Sequence, residues 1–222
     1  FGIHSASFDT EQTTFPVDDL FIKVYADTNT NNKTQFVLTS SIASVGSLTS
    51  SFYEGVYDNN PWTFAVRVKP REYPFANVVT SSDLFDFEFY GVNYNSGIKM
   101  HEFSASAEIR LNQLIDHDVG TFLTGSHKRL YLGADRENIT GSLNYDSNVR
   151  LVSSRVWFDY LKDEELQSHA RDVEIFGRKN PYQNSFVYEG VENDNYIPRI
   201  DTLALHWNFE NVTGSDSEGI FS

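Results

Sequence analysis

Residues 129–172 read RLYLGADRENITGSLNYDSNVRLVSSRVWFDYLKDEELQSHARD, and the order of patterns inside this stretch decides the fold. A strand comes first, then a polar hairpin, a long strand pair and one short helix. Val156, Phe158 and Tyr160 alternate with Arg155, Trp157 and Asp159, the period of two that marks a half-buried strand. The period then changes. Leu166, Ala170 and Val173 fall at i, i+4 and i+7, and Asp163, Glu164 and Glu165 put acceptors and negative charge where a helix begins. A short helix is therefore expected near residues 163–173.

Working outward, the same period of two recurs. Leu20, Ile22 and Val24 alternate with Phe21, Lys23 and Tyr25, and residues 35–39 read as the hairpin partner across a polar loop. Residues 40–51, rich in Ser, Thr and Gly, read as a surface loop more than a strand. After Asp58-Asn59-Asn60-Pro61, residues 62–70 place Trp62, Phe64, Val66 and Val68 on one face and Thr63, Ala65, Arg67 and Lys69 on the other. Phe85, Phe87 and Phe89 oppose Asp86, Glu88 and Tyr90; Phe103, Ala105, Ala107 and Ile109 follow the rule, as do Leu130 and Leu132. So do Leu203, Leu205, Trp207 and Phe209. Many short strands joined by Asn, Asp, Gly and Ser turns, with one good helix, predict an all-β fold, an antiparallel β-sandwich of jelly-roll type. Eighteen Phe and twelve Tyr among 222 residues suit strands packed face to face.

Three segments are expected. Residues 1–177 form the sandwich, with Gly177 able to stop the helix, and residues 178–199 form a linker or wrapping loop rich in Asn, Pro and Tyr. Residues 200–222 either return a strand to the sandwich or open the next module. The start at Phe1 and the connector-like tail GSDSEGIFS suggest a segment of something longer.

A net charge of −14, with only seventeen Lys and Arg, argues against a nucleic-acid partner, because phosphate backbones demand clustered cations. With no cysteine the fold cannot lean on disulfides, which permits assembly in a cytosol. No apolar run is long enough to span a bilayer, so membrane insertion is not expected.

The segments PWTFAVRVKP, FDFEFYG, KRLYLGADRENITGSL and above all RVWFDYLKDEELQSHARD resemble the concanavalin A-like lectin/glucanase superfamily. Within it, the chain is similar to the laminin G-like jelly roll, in which a late aromatic strand runs into a short helix with an acidic cap. A narrower resemblance is carried by HARDVEIFGRKNPYQN and IPRIDTLALHWNFENVTGSDSEGIFS. These are similar to laminin G-like modules in large virion structural proteins of tailed bacteriophages. That resemblance implies a non-enzymatic structural or adhesion part of a virion, assembled in the host cytoplasm. Its implied partners are other virion proteins or further modules of the same chain, and a host-surface glycan. Two other readings belong to the same superfamily: a calcium-dependent carbohydrate-binding domain and a glycoside hydrolase.

Each reading has its residues. Retaining hydrolases of the superfamily carry Glu-x-Asp-x-x-Glu, whereas this chain has Asp83, Asp86 and Glu88 in the reversed order. Asp86 and Glu88 share a strand face; Asp83 points the other way. With no nucleophile elbow, phosphate loop or Cys nucleophile either, no catalytic residue is assigned. For Ca2+, which needs several converging oxygens, the candidates are Asp58, Asn59 and Asn60, and Asp135, Glu137 and Asn138. Turn chemistry explains such residues equally well. His4, His101, His117, His127, His169 and His206 show no zinc spacing. For a glycan or a partner protein, Tyr90, Tyr131 and Trp157 lie opposite the apolar registers of their strands and are the candidate contact residues. The sequons at Asn32, Asn138 and Asn211 bear only on a eukaryotic secretory product.

Overall fold

The computed structural model describes residues 1–6, 20–42, 44–71, 84–110, 127–136, 142–146, 149–174 and 202–209. The chain is all-β, with antiparallel sheets and one short helix among the described residues. It divides into two compact units, Phe1–Asn148 and Val149–Ser222. The division falls ahead of the aromatic strand, whereas the sequence reading places its boundary after Gly177.

Among its described residues the first unit holds ten strands: β1 (Gly2–Ala6), β2 (Leu20–Thr28), β3 (Thr34–Ser40), β4 (Ser47–Tyr53), β5 (Trp62–Pro70), β6 (Leu84–Asn95), β7 (Ile98–Arg110), β8 (His127–Tyr131), β9 (Ala134–Arg136) and β10 (Leu143–Asp146). One sheet runs β4-β3-β2-β1-β8, a second runs β5-β6-β7, and β9 pairs with β10. Ile22, Val24, Phe36, Leu38 and Leu48 of the first sheet, with Ile42 and Val45 from the β3–β4 connection, meet Phe87, Phe89, Phe103 and Ile109 of the second. Two sheets sharing one apolar filling make a β-sandwich. The order is two meanders and a returning eighth strand. It supports the sandwich and leaves the jelly-roll winding to the family reading below.

Local chemistry sets the register. In the β2–β3 turn the Asn29 side-chain oxygen accepts from Asn31 N–H at 2.9 Å and Lys33 N–H at 3.1 Å, an Asx arrangement that the loop's polarity alone does not specify. Asn32 there takes a positive φ of 57°, which asparagine tolerates better than most residues. Between β6 and β7, Ser96 and Gly97 have φ of 50° and 78°, both positive as a tight two-residue hairpin turn requires.

Residues 40–51 correct the sequence reading, because β4 begins at Ser47 and Ile42, Val45 and Leu48 are buried. Three of their serines bond to the backbone. Ser41 Oγ accepts from Phe21 N–H, Ser40 Oγ donates to Phe21 O, and Ser50 Oγ fills a bulge by accepting from Phe36 N–H at 2.9 Å. On β5, Trp62, Phe64 and Val66 pack against the core as expected, but Val68 at the far end is exposed.

The second unit contains β11 (Ser154–Trp157), α1 (Asp163–Arg171) and β12 (Leu203–Trp207). β12 pairs antiparallel with β11, Ser154 opposite Trp207; the 178–199 segment lies outside the described residues. The aromatic strand ends at Trp157, so Phe158 is 83 % exposed, not inward. Leu166, His169 and Ala170 form the buried stripe of α1, while Val173 lies past its end and is exposed. Glu165 accepts from Lys162 N–H at 2.6 Å, half of a capping box at the acidic first turn.

Two outcomes follow. Gly91 stands opposite Phe103, and a β-carbon there would meet the Phe103 ring at 2.2 Å. Its φ is not positive, so the backbone itself would accept alanine. Entropy favours Gly→Ala by about 0.4–1 kcal/mol, but overpacking costs about 1–3 kcal/mol. Gly91→Ala is expected to destabilise in urea titration, and less so in a Phe103→Leu background; equal costs in both would remove the ring as the cause. At Glu165, burial raises the carboxyl above its ordinary value, with the Lys162 N–H opposing. A raised carboxyl stabilises the fold most below its unfolded value, 4.5, and that share fades as pH climbs through the folded value. Glu165→Gln keeps the acceptor without the charge. Its melting temperature relative to the parent should rise between about pH 4 and about pH 7; a flat difference contradicts the assignment.

Candidate functional site

The acidic residues on β6 are committed to cations on the outer face of the β5–β6–β7 sheet. Glu88 lies opposite Arg67, takes its Nη2 at 3.0 Å and takes Lys69 Nζ at 3.1 Å. Asp86 binds Arg71 at 3.2 Å, and Glu108 binds the same guanidinium at 2.6 Å. Glu108 first and Asp86 second hold Arg71 in its protonated form. The side chains of Arg67 and Glu88 are only 6 % and 12 % exposed, a buried pair whose cost in solvation must be offset by geometry. Asp83 lies outside the described residues. Asp86 and Glu88 thus carry a cross-strand charge ladder.

Tyr90 corrects an expectation. It is 1 % exposed, its ring lies under the Arg67 guanidinium at 5.0 Å, and its hydroxyl donates to Glu102 at 2.7 Å. Alternation puts it opposite the core, but that side is covered as well, so no ring face is offered to a sugar. Tyr131, half-buried at the end of β8, sets its ring edge against the fully buried His4 at 5.4 Å. Trp157 belongs to the second unit, where it stacks on His169 of α1 at 6.1 Å and anchors the helix. Tyr90 and Tyr131 lie on different sheets of the first unit, and Trp157 belongs to the second.

Of the calcium candidates, Asp58, Asn60 and Asp135 have partners within the chain. Asp58 accepts from Asn60 N–H at 2.9 Å and from Asn60 Nδ2 at 2.5 Å, and Asn59 takes a φ of 68°. This is a turn built by its own side chains. Asp135 pairs with Lys23 at 3.0 Å; Glu137 and Asn138 lie outside the described residues. Among the described residues no three His, Asp or Glu converge as a metal site would need.

One arrangement went unread in the sequence. Thr34 at the β2–β3 turn lies opposite Tyr53, the last residue of β4, while Trp62, Asn93 and His101 stand abreast on β5, β6 and β7. The same end of the first unit therefore gathers the β2–β3, β4–β5 and β6–β7 turns. There Trp62 lies within 4° of parallel to His101 at 6.0 Å and within 5° of parallel to Phe64 at 5.9 Å. Tyr53 abuts Trp62 at 5.1 Å and His101 at 5.0 Å. Burial raises the Tyr53 phenol above its usual pKa. The run of parallel rings emerges from the core at the exposed His101. On the adjoining segments Phe52, Tyr57, Ile98 and Met100 are exposed, Tyr57 by 72 %. Charges nearby close on themselves: Lys33 with Glu54 at 2.9 Å, pulling Glu54 below the usual carboxylate range, and Lys99 with Glu102 at 2.6 Å. Such an end can offer apolar and aromatic contact to a neutral ligand or a partner surface.

Compared with known proteins, the chain matches no family model, no curated protein and no solved structure.

The charge ladder predicts a stability cycle. Arg67→Met removes the buried cation from Glu88 and is expected to cost about 3 kcal/mol. The double variant Arg67→Met/Glu88→Leu should recover most of that loss in denaturant titration. A double variant worse than the sum of the singles would show that the pair is not the unit of stabilisation.

Proposed function

We propose that this chain is a non-enzymatic structural or adhesion module of a tailed-bacteriophage virion protein, of the laminin G-like type within the concanavalin A-like superfamily. The observation that carries it is the turn end of the first unit, where Tyr53, Trp62 and the exposed His101 pack ring against ring and Tyr57, Ile98 and Met100 on the adjoining turns are exposed. Exposed apolar side chains gathered in one place mark interaction surfaces. The superfamily reading rests on the sequence segments quoted above. The rejection of hydrolysis rests on Asp86 and Glu88, whose oxygens are held by Arg71, Arg67 and Lys69; a general acid needs a carboxyl free to hold and release a proton.

On this reading the module works on a virion. It contacts neighbouring virion proteins, further modules of its own chain or a surface glycan, and gains strength from repetition. Many weak copies held on one particle bind far more tightly than one.

Fluorescent particles displaying many copies of the chain test it against a panel of bacterial envelopes. Binding is expected to depend on copy density, to persist in chelator and to fall at least about tenfold in a Tyr57→Ser/Met100→Ser variant of unchanged melting temperature. Particles that bind no envelope contradict the adhesion reading. Release of reducing ends from a β-glucan, abolished by Glu88→Gln, would replace it with the hydrolase.

A further inference from the structure

We propose that the outer edge of β7 is a self-pairing seam: two copies of the chain join β7 to β7, antiparallel about a two-fold axis at Ser106, and make one continuous sheet of their two β5–β6–β7 sheets. The seam goes beyond the adhesion reading and does not depend on it.

A strand at the end of a sheet leaves a row of backbone N–H and C=O groups without a ladder partner, and proteins guard such rows with bulges, proline or charge. Of the edge strands in the two facing sheets, three are guarded. On β4 a bulge falls between the pairs Gln35–Phe52 and Val37–Thr49. Two carbonyls there are taken by side chains, Ser50 O by Gln35 Nε2 at 2.6 Å and Ser51 O by Ser50 Oγ at 2.7 Å. Strand β5 carries Arg67 and Lys69 and finishes in Pro70. Strand β8 is short and exposes Lys128 and Arg129. Strand β7 has none of these devices over its second half. Its ladder with β6 runs without a shift from His101 to Arg110, it holds no proline, and among the described residues no strand pairs with its other side. Ser104, Ser106 and Glu108 are exposed along it.

The pattern of this edge selects a second copy as its occupant. A two-fold antiparallel pairing sets one residue opposite itself, and like charges must not meet across the seam. With the axis at Ala105, Glu102 would face Glu108 of the other copy; with the axis at Glu108, that carboxylate would face itself. With the axis at Ser106, Phe103 faces Ile109, Ser104 faces Glu108 and Ala105 faces Ala107, so residues 103–109 pair throughout. Core-side residues then meet core-side residues, since Phe103, Ala105, Ala107 and Ile109 all pack toward the filling. Glu108, already bound to Arg71 at 2.6 Å, gains a facing Ser104 hydroxyl that can donate to it. A foreign strand would have to reproduce this order of apolar, hydroxyl and acidic positions; a second copy has it. At the usual rise per residue the seam is about 24 Å long, short of a standard stable interface, so the copies join reversibly. The charge of −14 on each opposes their meeting, and salt screens that repulsion beyond about 8 Å.

The full chain, at about 0.15 M salt, is followed by sedimentation equilibrium from about 1 µM to about 1 mM. A reversible doubling of mass is expected. Two lysine variants change the net charge equally and differ only in what they face. Ser104→Lys faces Glu108 and should tighten the dimer about fivefold, whereas Ser106→Lys faces itself and should weaken it about fivefold. Both positions are exposed, so melting temperatures should hold. The chain has no cysteine, so Ser106→Cys adds a single thiol. Opposed residues of an antiparallel pair have Cα atoms about 4.5–5.5 Å apart, within disulfide reach. Ser106→Cys should therefore cross-link two copies faster than Thr49→Cys on the exposed side of β4. A chain that stays monomeric to about 1 mM, equal cross-linking of the two thiols, or lysine variants that move the dimer in the same direction overturns the seam. Sedimentation involves no envelope: a chain that dimerises without adhering sinks only the adhesion reading, and one that adheres without dimerising sinks only the seam.

Discussion

Phe36 joins the two sheets of the first unit, and most of what the unit presents to solvent follows from where its ring lies. From β3 it meets Trp62 at 4.6 Å and Phe64 at 4.7 Å on β5, and it stacks over Phe103 of β7 at 5.9 Å. Phe103 in turn lies across Gly91 and sets an edge against Phe89 at 5.0 Å. Rings paired in this way add about 0.5–1.5 kcal/mol each beyond the area they bury. The contact also has direction. It meets β5 and β7 where their ladders on β6 already set Trp62 and His101 side by side across Asn93. The exposed aromatic end is the continuation of the core into solvent.

Opposite the core, the same three strands face a different constraint. A chain with fourteen more acidic than basic residues gains nothing by leaving its few cations scattered. Arg67, Lys69 and Arg71, at alternate positions of β5 and just past its end, meet Asp86, Glu88 and Glu108. Cross-strand pairs of opposite charge stabilise a sheet, whereas like charges opposite one another do the reverse. Asp86 stands directly opposite Glu108 in the ladder, and Arg71 reaches over to bind both. The carboxylates that most resemble catalytic residues are here because the sheet needs their charge.

Period-two alternation made most strands legible, and the change to helical spacing located α1 with the correct acidic first turn. Alternation tells which side of a sheet a residue faces, not whether that side is covered. Tyr90 was placed on the correct side and is nonetheless buried under Arg67. Composition misled at residues 40–51, because serines that bond to Phe21 and Phe36 look the same in a sequence as serines that bond to water. The turn end was unreadable for a different reason. Tyr53, Trp62 and His101 sit in three separate strands, and only the registers of both sheets and the facing of one upon the other bring their rings together. The nearest sequence signal was the turn Asp58-Asn59-Asn60-Pro61, whose polarity suggested calcium; its role is to deliver Trp62 to the start of β5.

The stretch at residues 129–172, continuous as a pattern, is divided between the two units. Its first part forms β8, which pairs with β1, Tyr131 opposite Gly2, and makes the edge of the five-stranded sheet away from β4. Closing so long a loop is entropically costly and kinetically late. The turn end has no such dependence: β2–β3, β3–β4, β5–β6 and β6–β7 are all pairings between neighbours in sequence. The stretch that most nearly names the fold therefore completes the sandwich, while the surface best suited to a ligand is built from short hairpins elsewhere. Changes to the turn residues can alter that surface and leave the β1–β8 closure untouched.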